Sequence, residues 1–237
     1  MPGTHGLPSS FPFPVVTAPP RRDPYPRPDA EVPPTVTASR ALSTSVRGLI
    51  ASLVATRAPV EVLDAARREI DAAAARLGPY AAKSRYDGSP GLTASSVSTA
   101  VFEHHPFLGP SNPMAPPVEI DRGEDRITAR LEFDLRHEGM PGYAHGGWIA
   151  AVFDQVLAVA AASLAGRPAM TGTMTIRFVR PTPIGTALSL VATAEATGAR
   201  TVRVEADLLA DGAVTAHGEG IMVQSLTMRV GLPGGDE

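Results

Sequence analysis

No cysteine occurs among the 237 residues, which excludes disulfides, a catalytic thiolate and cysteine-ligated zinc or iron–sulfur centres. Aromatic residues are scarce at 5%, leaving alanine and valine to supply much of any core. Charge of one sign is also missing. Twenty-one basic and 24 acidic residues leave a net −3, so there is no broad basic field for a phosphate backbone and nucleic acid is not an expected partner. Long apolar runs are absent too. The longest, Ile149 to Ala165, is broken by Asp154 and Gln155 and is short for a membrane span. Met1 to Gly6 lack the basic segment and following apolar stretch of a secretion signal. The expectation is a cytoplasmic protein with no membrane partner.

The residues that are present describe a globule with appendages: 43% are hydrophobic and 19% charged. Residues 1–38 hold 11 of the 24 prolines and read as an extended, disordered arm. From Ala38 the pattern turns helical. Leu42, Val46, Leu49, Ile50, Leu53 and Val54 form one stripe, Thr56 to Pro59 breaks it, and a second helix places Leu63, Ala66, Ile70, Ala73 and Leu77 on one face before Gly78-Pro79. Such a helical hairpin is too small to stand alone and must pack on something. With its glycine- and proline-rich loop it fills 39–110.

Residues 111–225 alternate like a sheet. Ile127, Ala129, Leu131, Phe133 and Leu135 share one side, and similar alternation runs through 172–180, 186–196, 201–210 and 213–224, with Asp211-Gly212 as a hairpin turn. Between these strands, His145 to about Ala165 is apolar on nearly every face, the mark of a buried helix. The predicted architecture is α+β, an antiparallel sheet wrapped around a long central helix, with residues 226–237 as a tail.

Tyr143-Ala144-His145-Gly146-Gly147, with Asp154 nine residues beyond His145 on the same helix, resembles the PaaI-like hotdog-fold acyl-CoA thioesterase family. Met170 to Pro181, ending in Arg180-Pro181, resembles that family's next strand, and Asn112 to Pro117 resembles the loop entering its first strand. The likeness covers about 110–224. It implies a hotdog fold, hydrolysis of an acyl-CoA or related thioester, and a nucleophile or general base at Asp154. Thr171 matches a threonine that hydrogen-bonds the attacking water or the acid, although threonine is also an ordinary strand residue.

The residues make chemical sense beside the resemblance. A helix start at Gly146-Gly147 offers unpaired N–H groups and the positive end of a dipole, suited to an oxyanion, although the same glycines also permit a tight turn. A carboxylate among Val152, Phe153, Val156 and Leu157 is costly unless used or partnered, for example by Gln155 or a threonine. His145 either donates to the thioester carbonyl or caps the turn. Tyr143 is placed at the pocket mouth, and Trp148, where the family has smaller residues, is placed as a wall of the acyl pocket. Arg180 and Arg200 suit the phosphates of coenzyme A, although surface arginines with no such task are equally common. Glu103-His104-His105 lacks the spacing of a metal site, and no metal or redox cofactor is expected; coenzyme A enters as part of the substrate.

Spacing adds a constraint. Gly147 and Asp154 are seven residues apart, about 10.5 Å along a helix axis at 1.5 Å per residue. One thioester carbon cannot reach both, so the donors and the acid must come from two copies of the chain, in a homodimer or dimer of dimers. Three rivals to hydrolysis stand beside it. The first is an acyl-CoA binder that does not cleave. The second is a hydratase, disfavoured because the next histidine after Asp154 is His217. The third is an interaction module working through its proline-rich arm.

Overall fold

The computed structural model describes residues 32–83, 102–165 and 169–224; the proline-rich arm before Val32, part of the loop after the second helix, and the tail lie outside the described residues. Helix α1 spans Pro34–Ala55 and α2 spans Val60–Leu77. α1 takes in the last five residues of the stretch expected as arm, because a proline in the first helical turn forfeits an N–H that has no intrahelical partner anyway. The break between the helices and the end of α2 at Gly78 fall where the sequence puts them.

α1 is docked by polar side chains rather than by its apolar stripe. Arg40, Ser43 and Arg47 follow one another at helical spacing and point at the loop 102–117. Arg40 grips Glu103 with two bonds of 2.7 and 2.8 Å. Ser43 donates to the Ser111 carbonyl at 2.6 Å, and Arg47 donates to the carbonyls of Ala115, Pro110 and Asn112. Glu103 is buried and also accepts from the Ser111 hydroxyl. Burial alone would push its carboxyl up, but Arg40 and Ser111 hold it below the usual carboxylate range.

Six strands follow: β1 (Val118–Arg122), β2 (Ile127–Glu132), β3 (Ala169–Phe178), β4 (Ala187–Ala196), β5 (Thr201–Ala210) and β6 (Ala213–Gln224). They form one antiparallel sheet in the order β1-β2-β4-β5-β6-β3. Asp211 and Gly212 both take positive φ, the backbone a tight hairpin needs to match strand twist. Helix α3 (Gly146–Ala165) joins β2 to β3 and packs on β2, β3, β4, β5 and β6. Its Val152, Phe153, Val156, Leu157 and Val159 are buried against inward residues such as Leu190, Val204 and Leu208. The strands are thus wrapped around a central helix, as the alternation implies. α3 is long and apolar enough to cross a bilayer, but those side chains are spent on the sheet.

The first long strand ends earlier than its alternation suggests. Asp134 accepts a bond from the Arg136 N–H and starts a short 3-10 turn over Leu135–His137, so Leu135 leaves the inward row and is exposed, while Phe133 stays fully buried. The two sheet edges differ. β1 is short and carries Glu119, Asp121 and Arg122, a blunted edge; β3 is ten residues long, bonded on one side to β6 and open on the other.

Candidate active site

The turn before α3 is built by close backbone approach. The His145 N–H donates to the His137 carbonyl at 2.8 Å, and a Cβ on Gly139 would sit 2.8 Å from the His145 Cα. His145 then caps the helix: its carbonyl accepts from the N–H groups of Trp148 and Ile149, and its Nδ1 accepts from the Gly147 N–H at 3.0 Å. The Gly147 donor is therefore occupied in this state by an exposed imidazole. The Gly146 N–H has no hydrogen-bond partner among the described residues, and Gly146 itself lies against the Phe178 ring, 3.2 Å from where a Cβ would be.

Two turns further on, Asp154 is half-buried as the one charged residue of the helix. Its Oδ1 accepts from the Thr171 hydroxyl at 2.6 Å and its Oδ2 from the Gln155 side-chain amide. Both oxygens are thus held by the partner types the sequence points to. Thr171 reaches the acid because of a fault in strand register. β3 pairs with β6 through Thr171↔Met222 and then Thr173↔Ile221, leaving Gly172 as an extra residue. Strict alternation outward from Met174 and Ile176 would put Thr171 on the outer face. The bulge reverses that parity and sets it beside buried Met222, on the helix side.

The other residues singled out from sequence are dispersed. Trp148 packs edge-to-face on His137 at 4.8 Å and on Phe107 at 6.2 Å, inside an aromatic cluster next to the helix start. Tyr143 is exposed on the preceding turn, with its backbone bridged to Pro183. Asn112 spends its side chain on its own loop, donating to the His104 carbonyl and accepting from the Met114 N–H. Arg180 and Arg200 are exposed beyond β3 and before β5. Glu103 is committed to Arg40 and Ser111, and no group of three metal-ligating side chains occurs among the described residues.

His137 is the residue that sequence reading missed. It is fully buried, its Nδ1 accepts from the Asp134 N–H at 3.0 Å, and its Nε2 has no partner among the described residues. Burial pushes its pKa down, against the opposing pull of Asp134, so the neutral ring is the form that fits. The available signal was Asp134-x-x-His137, a capping pattern with histidine in place of the usual Glu or Gln. A depression of about 730 Å³ opens at Glu119, Arg130, Glu132 and Asp211, but none of its lining residues belongs to α3 or β3.

Comparison with known proteins places this geometry. Residues 141–216 match the thioesterase superfamily. A solved structure described as a thioesterase superfamily protein is similar at 25% identity and a TM-score of 0.66, over 78% of this chain and 90% of its own. That coverage exceeds the span from β1 to β6, so the likeness extends into the N-terminal part. The Escherichia coli PaaI protein of the phenylacetic acid degradation operon shares 21% identity over 46% of this chain and 79% of its own, at a TM-score of 0.43. A Streptococcus pneumoniae hypothetical thioesterase solved with coenzyme A shares 18% over 46% and 89%, at 0.43. No curated protein matches the chain.

Proposed function

We propose that this hotdog-fold protein of the thioesterase superfamily, related to the PaaI-like proteins, hydrolyses an acyl-CoA or related acyl thioester in the cytoplasm as a homodimer. The observation that carries the reading is Asp154. A carboxyl group set into an apolar stretch of helix and held at both oxygens by Thr171 and Gln155 is aimed and partly withdrawn from solvent, the condition a general base or nucleophile requires.

As base, Asp154 takes a proton from water while the water oxygen attacks the thioester carbon; the C–S bond then breaks and the thiol departs with a proton. As nucleophile, its oxygen bonds to the thioester carbon, the C–S bond breaks as the thiolate leaves and takes up a proton, and water then cleaves the resulting anhydride to restore the carboxyl and release the acid. Either route builds negative charge on the carbonyl oxygen, and the start of α3 offers the donors for it. The Gly146 N–H has no partner among the described residues, and the Gly147 N–H is released when the exposed His145 imidazole turns aside. Because those donors and Asp154 lie about 10.5 Å apart on one helix, each site takes its amides from one subunit and its acid from the other. The open edge of β3, with exposed Met170, Phe178 and Val179 nearby, supports the same dimer.

The occupied Gly147 donor favours one second reading, a protein that binds the thioester without cleaving it. Thiol release across short, long and aromatic acyl-CoA substrates separates the two. The hydrolase releases thiol and Asp154→Asn loses nearly all of it with the dimer intact; full activity in that variant refutes the assignment. Ligand-raised Tm with no thiol released, in the unaltered chain, establishes the binder.

A further inference from the structure

α2 buries none of its side chains within the chain. A lone 18-residue helix is marginal in water, so it needs a surface to rest on. Leu63, Ala66, Ile70, Ala73 and Leu77 recur at alternating steps of three and four, a heptad with large residues at one core position and alanine at the other. Leu63, Ile70 and Leu77 are 40%, 41% and 54% exposed. Charge flanks the seam. Arg67 is paired inside the helix with Asp71 at 2.9 Å, whereas Glu69 and Arg76, each one residue before a large core position, have no ion-pair partner among the described residues.

We propose that α2 pairs antiparallel with α2 of a second copy of this chain. In that register Ile70 lies against the partner's Ala73 and Leu77 against the partner's Ala66, so each large side chain meets a small one. Glu69 then faces the partner's Arg76, and the two-fold axis repeats every contact, as an isologous interface requires. A parallel pairing stacks large on large and alanine on alanine, and it sets Glu69 beside the partner's Ala74 with no charge match. The face is therefore complementary to itself in one direction only. A second copy is also what the division of Gly147 and Asp154 between subunits calls for, and α1, four residues before α2, is anchored on the loop and 3-10 turn that lead to the start of α3.

The absence of native cysteine makes a clean test. Full-length Ile70→Cys and Ala73→Cys chains, carrying different tags, are coexpressed and oxidised. The expected result is a covalent dimer containing both tags as the major product, with neither variant crosslinking when expressed alone. Crosslinking of either variant alone means a parallel pair and overturns the proposal, as does no crosslink in the mixture, the outcome if a foreign protein or another segment covers α2. Adding Glu69→Arg to both chains lowers the mixed yield about fivefold by opposing like charges, and adding Arg76→Glu as well restores it. Thiol release reads the other proposal separately. A chain that crosslinks but releases no thiol removes the hydrolase reading and leaves this one standing, and the converse result does the reverse.

Discussion

Gly218 on β6 lies directly beneath Phe153, and Gly218→Ala tests how tightly the sheet grips the central helix. The added Cβ would stand 2.5 Å from the Phe153 Cδ1 and 2.7 Å from its Cε1, against about 3.4–4 Å for ordinary contact between such atoms. The ring must therefore retreat by about 1 Å, and it is fully buried with no open side to enter. Overpacking of this kind costs about 1–3 kcal/mol. Phe153 is also the residue before Asp154, whose bond from Thr171 is 2.6 Å; stretched by about 1 Å it ceases to be a hydrogen bond. Gly218→Ala should lower the denaturation midpoint and cut thiol release about tenfold or more. Phe153→Leu removes the clashing ring edge at a cost of its own, so the double variant should recover at least about 1 kcal/mol relative to the sum of the singles. Equilibrium unfolding of the four proteins reads that coupling. An unchanged midpoint in Gly218→Ala, or strict additivity, refutes the packing account.

Two further substitutions probe the polar contacts. Thr171→Val removes one hydrogen bond to a charged acceptor, worth about 1.5–3 kcal/mol, so thiol release should fall roughly 10- to 100-fold while Thr171→Ser stays within a few-fold of the parent; equal loss in both assigns the threonine to strand packing. Arg40→Ala strips buried Glu103 of its main partner, and because the guanidinium is part-exposed the cost is about 1–3 kcal/mol, felt as faster amide exchange across α1 rather than global unfolding. The same contact predicts a pH dependence. Glu103 is held below its ordinary value, so its contribution is present above the usual carboxylate range and lost as pH falls through the lowered folded value; exchange protection of α1 should drop at acid pH in the parent and change less in Arg40→Ala.

The central helix and most strands were legible because burial writes itself as hydrophobic periodicity: α3 is apolar nearly all round, and β4 and β5 alternate along most of their length. Asp154 was legible for the opposite reason, as a charge where the pattern has no room for one. What escaped depends on local hydrogen-bond competition. Asp134 and His137 trade bonds with the backbone and end a strand that its apolar residues would have prolonged. His145 was open between donor and cap, and its Nδ1 is bound as a cap. α1 starts at Pro34 because proline is an obstacle only once a helix is under way. The apolar faces of α1 and α2 were read as packing surfaces, yet α1 is anchored through Arg40, Ser43 and Arg47, which no periodicity of hydrophobic residues marks.

The extra residue at Gly172 makes the site depend on the path of the backbone rather than on side-chain identity at that point of the strand. Substitutions there are limited mainly by the nearby Ile221 carbonyl and Val223 side chain. With Gly172 removed, Thr171↔Met222 and Thr173↔Ile221 become neighbours in a regular ladder and the hydroxyl keeps its side of the sheet. With Gly172 kept but the bulge straightened, alternation from Met174 turns Gly172 toward the helix and Thr171 away from the carboxylate, so a change that flattens the kink disarms the contact without touching either partner.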